Sequence, residues 1–444
     1  MSADIDGGSG RRNGQGDPGM SIDEISATVR QTPLSVEFPG RKHHCGAVGG
    51  KIYRVVDSSD QAQLYVELFA DEAWMQELFR LGMVATKLIG VDSEGRLVLE
   101  HEPFRFQTMA QEWTIGQARE AATTIIRIQR HLMAKDCFLS DPHVFNLTFD
   151  STRPVYFDFG SIAKGPYPEQ EWLRNFWLGQ TWMESWMTRL GISYATTQDL
   201  ICHPSYRDLD TQIKKIENMS LRDSPITEWS RYCWQMLDVN NHDSWKEKHL
   251  AVEILLSKLQ RLPAALDIGC NVGDFCRMML KLGAVDAVCG MDIDEISIQA
   301  LNTKAKEDHL PITTAVWDAM TLQGWHVVDF DTESWNRMYQ PSVRLQAPLV
   351  LAVAMIHHWC YFRDLTFRQV AQVLAEYSQR WLMIEWIPYS DRCLTGKTNR
   401  SGVDKSHYTE EEFLSAFLER FPNIVGMEPS TDGVRKMYLL SKEM

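Results

Sequence analysis

From Ser244 onward, short and nearly continuous apolar runs alternate with helical stretches. The runs are "AALDIG", "AVCGMDI", "PITTAVWDA", "PLVLAVAM" and "RWLMIEWI". Strands buried on both faces carry such unbroken apolar sequence, and strand–helix alternation builds parallel βαβ units. The pattern predicts an α/β domain over 241–444 whose sheet is covered on both faces. An amphipathic helix, "SWKEKHLAVEILLSKLQRLP", leads into it and is stopped by Pro263.

The stretch "ALDIGCNVGDF" ends the first run with Asp267 and Gly269, carries Gly273 in the turn, and starts a helix near Asp274. Glycines there let the backbone approach a ligand, and the helix start offers unpaired amide donors. Dinucleotide folds want GxGxxG at this point, which "GCNVGD" does not supply, so NAD is disfavoured. Asp292 closes the second strand, where a carboxylate can accept both hydroxyls of a ribose, and Asp318 closes the third, within reach of an adenine amine. Cys270, Asn271 and Ile293 complete the candidate cofactor set. A purely structural turn is the alternative reading.

In "AMIHHWCYF", His357 and His358 follow the fourth strand, at the carboxyl edge where open α/β sheets bind ligands. An imidazole with a pKa near 6.5 suits uptake of a proton from a hydroxyl acceptor; the alternative is a ring that only bonds a carbonyl. "MIEWIPYSDR" offers Glu385, Tyr389 and Asp391 beside the same edge, to orient a substrate or to cap a loop.

"LDIGCNVGDF", "GMDID", "WDAM" and "VLAVAMIHHW" together resemble successive motifs of class I S-adenosylmethionine-dependent methyltransferases, over about Ser244 to the C-terminus. The resemblance implies a Rossmann-like seven-stranded α/β fold, methyl transfer, and S-adenosyl-L-methionine as cofactor. It would place Asp267, Gly269, Asn271 and Gly273 along the methionine part, Asp292 at the ribose and Asp318 at the adenine. Asn271 stands where many members have the middle glycine of a GxGxG loop. The nine cysteines form no CxxC pair and no Cys/His cluster at zinc spacing, so no metal is expected.

The first half reads differently. Residues 1–36 are expected to be a disordered tail, and 37–240 an α+β domain. "KIYRVV" and "QLYVELF" are expected as strands, "DEAWMQELFRLGM" as a helix, and Thr114 to Ala134 as a long helix with a stripe at Ala121, Ile125, Ile128 and Leu132. A Trp-rich helical stretch follows, from Pro168 to about Ile192. Between them, "LSDPHVFNLTFDSTRPVYFDFGS" holds Asp141, Asn146 and Asp158-Phe159-Gly160. This resembles the catalytic segment of protein-kinase-like and aminoglycoside-kinase-like folds, which implies that Asp141 accepts a hydroxyl proton while Asn146 and Asp158 bind magnesium. The pattern is degenerate. Leu139 replaces the expected histidine, Glu67 stands where an ATP-binding lysine belongs, and Lys51 is a possible substitute. A degenerate kinase-like half followed by a methyltransferase half is similar to bacterial proteins grouped with the rhizobial nodulation protein NoeA, which implies specialised or host-interaction metabolism.

With 444 residues, more than one core is expected. Lys and Arg number 45 against 59 Asp and Glu, and the net charge of −14 makes a nucleic-acid partner unfavourable. The longest apolar run, "APLVLAVAMI", is about half the ~20 residues a membrane span needs. The first twenty residues lack the apolar segment of a signal peptide, and the scattered cysteines fit a reducing cytoplasm. Taken with the class I resemblance, which implies methyl transfer, the expectation is a cytoplasmic methyltransferase acting at oxygen on a small molecule or glycan. Its rivals are a bifunctional kinase–methyltransferase on a glycan and a non-catalytic binding module.

Overall fold

A computed structural model describes residues 20–31, 43–178, 208–218, 226–227, 230, 236–321, 340–395 and 405–443. The chain divides into two compact units, Met1–Phe79 with Val84–Pro103, and Arg80–Met83 with Phe104–Met444. The boundary expected near residue 240 falls inside the second unit.

In the first unit, strands β1 (His43–Val48), β2 (Lys51–Val56), β3 (Thr86–Val91) and β4 (Leu97–His101) form an antiparallel sheet in the order β1-β2-β4-β3. Gly49 and Gly50 join β1 to β2, both at positive φ, as a two-residue hairpin demands. Two expectations fail here. The tail read over 1–36 contains a helix, Ile22–Gln31, whose Ile25 and Val29 pack on Tyr53, Val55 and Val98. Its start is fixed by Ser21 and Glu24, which bond each other's backbone N–H groups at 3.3 and 2.7 Å in a capping box. The rest of that tail, 1–19 and 32–36, lies outside the described residues. "QLYVELF" is not a strand but the end of helix Ser59–Phe69, which buries Leu64, Tyr65 and Leu68 on one face. Its Tyr, Val and Phe suit strands by propensity, yet the i, i+4 spacing of the buried leucines decides the outcome.

In the second unit the expected long helix, Ile115–Met133, is capped by Thr114 and Gln117. After it, β5 (Cys137–Leu139) pairs with β8 (Ile162–Lys164), and β6 (Leu147–Asp150) forms a hairpin with β7 (Arg153–Tyr156). Helix Glu169–Leu178 opens the Trp-rich stretch and buries Trp172 and Trp177; the remainder of that stretch lies outside the described residues.

All five strands read from the last third are present: β9 (Ala265–Ile268), β10 (Val288–Asp292), β11 (Ile312–Val316), β12 (Ala347–Ala352) and β13 (Ser378–Trp386). They pair in parallel, and a hairpin of β14 (Asn423–Ser430) and β15 (Arg435–Ser441) adds two antiparallel strands. The seven-stranded order is β11-β10-β9-β12-β13-β15-β14, which gives the Rossmann-like sheet that was expected. Alternate residues feed two cores. Leu266, Ile268, Met291, Val350 and Leu382 face one, while Ala265, Val288, Leu349, Leu351 and Met383 face the other. The strand order reverses between β9 and β12, so the ligand crevice of such a sheet opens at their carboxyl ends. No helix among the described residues is long and apolar enough to cross a membrane.

Candidate functional site

The turn after β9 lies at that switch point. Gly269 (φ +75°), Asn271 (φ +49°) and Gly273 (φ +75°) all occupy the left-handed region. Asn271, the departure from an all-glycine loop, takes the conformation a glycine would, because Asn tolerates left-handed backbone better than most residues. The turn is moored to β10: the N–H groups of Gly269 and Cys270 both reach the Met291 carbonyl, at 2.8 and 3.1 Å. Helix Asp274–Lys281 follows, with Gly273 as an N-cap that supplies no side-chain cap. A Cβ on Gly269 would strike the Met355 side chain, and one on Gly273 would strike Leu301.

Asp292 ends β10 and holds the turn's middle. One carboxylate oxygen accepts the Asn271 N–H at 2.8 Å, the other the Asp294 N–H at 2.9 Å. Burial raises the Asp292 pKa, against the pull of these backbone bonds. Behind it, Asp294 caps helix Glu295–Glu307 through Ser297, and Ser297 accepts the Asn271 carboxamide at 3.1 Å. Asp294 also accepts the hydroxyls of Thr227 and Ser230, at 2.6 and 2.8 Å. Asp294 and Ser297 were not foreseen as parts of the site, though Asp-x-x-Ser at a strand-to-helix turn is a capping signal. Ile293, beside them, is 58% exposed.

Asp267 lies within β9 and is 1% exposed. Burial, with the charges of Asp292 and Asp274 adding to it, lifts its pKa to about 7 despite a 3.3 Å bond from the Cys276 thiol. Cys270 is buried in the turn, and burial holds its thiol protonated. Asp318 is placed just beyond β11, where it accepts the Met320 N–H at 3.1 Å and pairs with Arg363 at 2.9 Å. Arg363 follows the histidine pair, so it ties the third strand end to the fourth.

His357 and His358 sit on the short helix Ile356–Cys360 that follows β12, with ring centroids 4.0 Å apart. His357 is buried and His358 half-buried; Phe362 stands 5.9 Å from each ring. The turn before them is strained. Ala354 has φ +58°, an arrangement that persists where surrounding structure enforces it. Glu385 does so, accepting the Ala354 N–H at 3.0 Å and the Ser430 hydroxyl at 2.7 Å. Arg435 lies 3.4 Å from Glu385 and makes two bonds to Asp391, at 2.7 and 3.1 Å. Burial disfavours the Asp391 charge, but Arg435 and the Cys393 N–H more than offset it and hold the carboxyl below the usual range. Glu385 and Asp391 are thus engaged in fixing the turn and the C-terminal hairpin, and Arg435, their partner, was not foreseen. Tyr389 is 57% exposed, with its ring 6.0 Å from that of Tyr361.

The first-half motif also comes together, around Tyr156. The Asn146 carboxamide donates to the Asp141 carboxylate at 3.2 Å and lies 3.3 Å from the Tyr156 hydroxyl, which itself donates to the Asp141 carbonyl. Asp158 stands close enough to raise the Tyr156 pKa, after burial and alongside Asp141. Glu67 lies on a helix and accepts Gln63 at 3.1 Å, while Lys51 pairs with Glu100 at 2.8 Å. Among the described residues no group of three His, Cys, Asp or Glu side chains is placed to hold a metal ion.

No family model matches the chain. The nodulation protein NoeA of Rhizobium meliloti (strain 1021) is 23% identical over 390 residues, covering 73% of this chain and 77% of that one. Among solved structures, a Pyrococcus horikoshii OT3 protein aligns over 49% of this chain and 100% of its own, at 15% identity and a TM-score of 0.34. An S-adenosylmethionine-dependent methyltransferase from Clostridium acetobutylicum ATCC 824 aligns over 44% of this chain and 92% of its own, at 10% identity and a TM-score of 0.32. Superpositions this shallow leave the fold to be read from the strand order itself.

Proposed function

We propose that the chain is a cytoplasmic S-adenosylmethionine-dependent methyltransferase acting at oxygen on a small molecule or glycan. In this reading 241–444 carries the transfer chemistry, and 37–240 is the part with the kinase-like resemblance. The observation that carries it is the turn Gly269–Gly273, three of whose residues adopt left-handed backbone at the sheet's switch point while Asp292 holds its middle amide. Met355 and Leu301 fill the space a Cβ would take at Gly269 and Gly273, so it is the left-handed backbone of the turn that supports the reading, and an acid at the adjacent strand end suits a ribose. The similarity to NoeA supports a role in specialised or host-interaction metabolism.

Bound S-adenosylmethionine supplies a methyl group on a sulfonium sulfur. The turn and Asp267 would hold its amino-acid part, Asp292 the ribose, and Ile293 and Asp318 the adenine. The chain's further work is to align the acceptor, exclude water and take up a proton. His357 and His358, on the short helix after the turn that Glu385 bonds, would do the last of these.

Titration calorimetry with S-adenosylhomocysteine tests both parts. The wild-type chain is expected to bind it, Asp292→Ala to lose at least about tenfold in affinity, and a His357→Ala/His358→Ala pair to bind within about threefold while turnover collapses. Wild-type protein with no measurable binding rules out the cofactor reading. Equal losses of binding and turnover in the histidine pair show those rings to be structural.

A further inference from the structure

Lys248 stands in the first turn of helix Glu247–Leu256, half-buried, with its ammonium 5.5 Å from the Phe275 ring centroid. Phe275 belongs to the first turn after the Gly269–Gly273 loop. Other cations near the loop are committed: Arg277 to Asp274 at 2.6 Å and the Leu237 carbonyl at 2.9 Å, and Arg435 to Asp391 and Glu385. Lys248 has no hydrogen-bond or ion-pair partner among the described residues. Burial disfavours its charge, Glu385 and Asp274 favour it, and its own charge favours that of Asp267. Lys246 and Arg435 oppose Glu385 and Asp274.

None of those acids makes a hydrogen bond or ion pair with the ammonium, and each is bonded elsewhere. Glu385 is engaged by Arg435, the Ala354 N–H and the Ser430 hydroxyl. Asp274 accepts from Arg277 and the Leu237 N–H, and Asp267 is bonded by Cys276. A partly desolvated ammonium without a close counter-ion is costly, and the cation–π contact with Phe275 recovers only part of that cost. The position is also informative. Asp292 ends β10 on one flank of β9, whereas Glu385 sits on β13, beyond β12 on the other flank. A ligand whose ribose meets Asp292 and which crosses the end of β9 would carry its far end toward Lys248.

We propose that Lys248 binds the carboxylate at the amino-acid end of the sulfonium nucleoside. The inference rests on the cofactor reading above and assigns that carboxylate a partner in this chain. Lys248 is a positioning residue, so its removal weakens retention of the amino-acid end and leaves nucleoside binding alone.

The test compares S-adenosylhomocysteine, which has the carboxylate, with 5′-methylthioadenosine, which lacks the whole amino-acid end, by calorimetry on the full chain. Lys248→Met keeps an unbranched apolar stem against Phe275; Lys248→Arg keeps the charge. Wild type is expected to favour S-adenosylhomocysteine, Lys248→Met to lose roughly tenfold or more of that affinity while methylthioadenosine changes less than about twofold, and Lys248→Arg to restore most of it. Lys248→Met weakening both compounds alike, or neither, overturns the inference and leaves the cofactor reading intact. Wild type binding neither compound removes the reading, and this inference with it.

Discussion

Asp267 is an acid where ionisation is costly, since a carboxylate at 1% exposure has lost nearly all its water. Its folded pKa of about 7 lies above the ordinary 3.8, so between those values the folded chain keeps a proton that the unfolded chain has released. Stability from this group is complete below pH 3.8 and declines as pH rises toward 7. Asp267→Asn removes that slope. Urea unfolding at pH 5 and pH 7.5 is expected to show wild type losing about 2 kcal/mol more than the variant over the interval. Parallel pH profiles for the two proteins would mean that Asp267 is ionised throughout. Sequence alone marked Asp267 as a site residue but not as a protonated one, because its burial depends on Cys276 and on strands distant in sequence.

At the scale of elements, the turn after β9 was legible because glycines and acids at strand ends have few uses. The left-handed backbone at Gly269, Asn271 and Gly273 is what those residue types permit. Gly273→Ala forces a Cβ into both an unfavourable φ and the Leu301 side chain, and is expected to cost about 1–3 kcal/mol in urea unfolding. Asn271→Gly keeps the backbone but loses the 3.1 Å bond to Ser297, so its cost should stay near 1 kcal/mol. If Asn271→Gly is the more damaging of the two, side-chain bonding rather than backbone form sets the turn. Other elements were less legible. Helix Ser59–Phe69 hid behind strand-forming residues, and helix Ile22–Gln31 behind the polar sequence preceding it. The β14–β15 hairpin was implied only by resemblance. Its outer strand, with Gly426 and Pro429 and with Ile424 and Met427 exposed, carries little alternation and suits a sheet edge.

Across the whole second unit, the expectation of a break near residue 240 meets a contact no local pattern encodes. Glu112, fully buried, pairs bidentately with Arg344, which also donates to the Gln107 carbonyl at 2.6 Å; Glu112 in turn accepts the Met109 N–H at 2.8 Å. Nearby, the Ile115 N–H bonds Glu295 at 2.8 Å and Phe106 enters the core of the seven-stranded sheet. The segment before helix Ile115–Met133 is therefore part of the same packed body as residues more than two hundred positions later, and partners so far apart leave no periodicity to read. Their energetics are asymmetric. Removing one charge strands the other without water, at about 3–5 kcal/mol, whereas replacing both with apolar side chains of similar volume is often close to neutral. Glu112→Gln is accordingly expected to lower the urea midpoint sharply, and the Glu112→Leu/Arg344→Met pair to recover most of the loss. Should the pair unfold as easily as the single variant, the contact contributes through its backbone bonds to Gln107 and Met109 rather than through charge, and the two stretches are joined chiefly by apolar packing around Phe106.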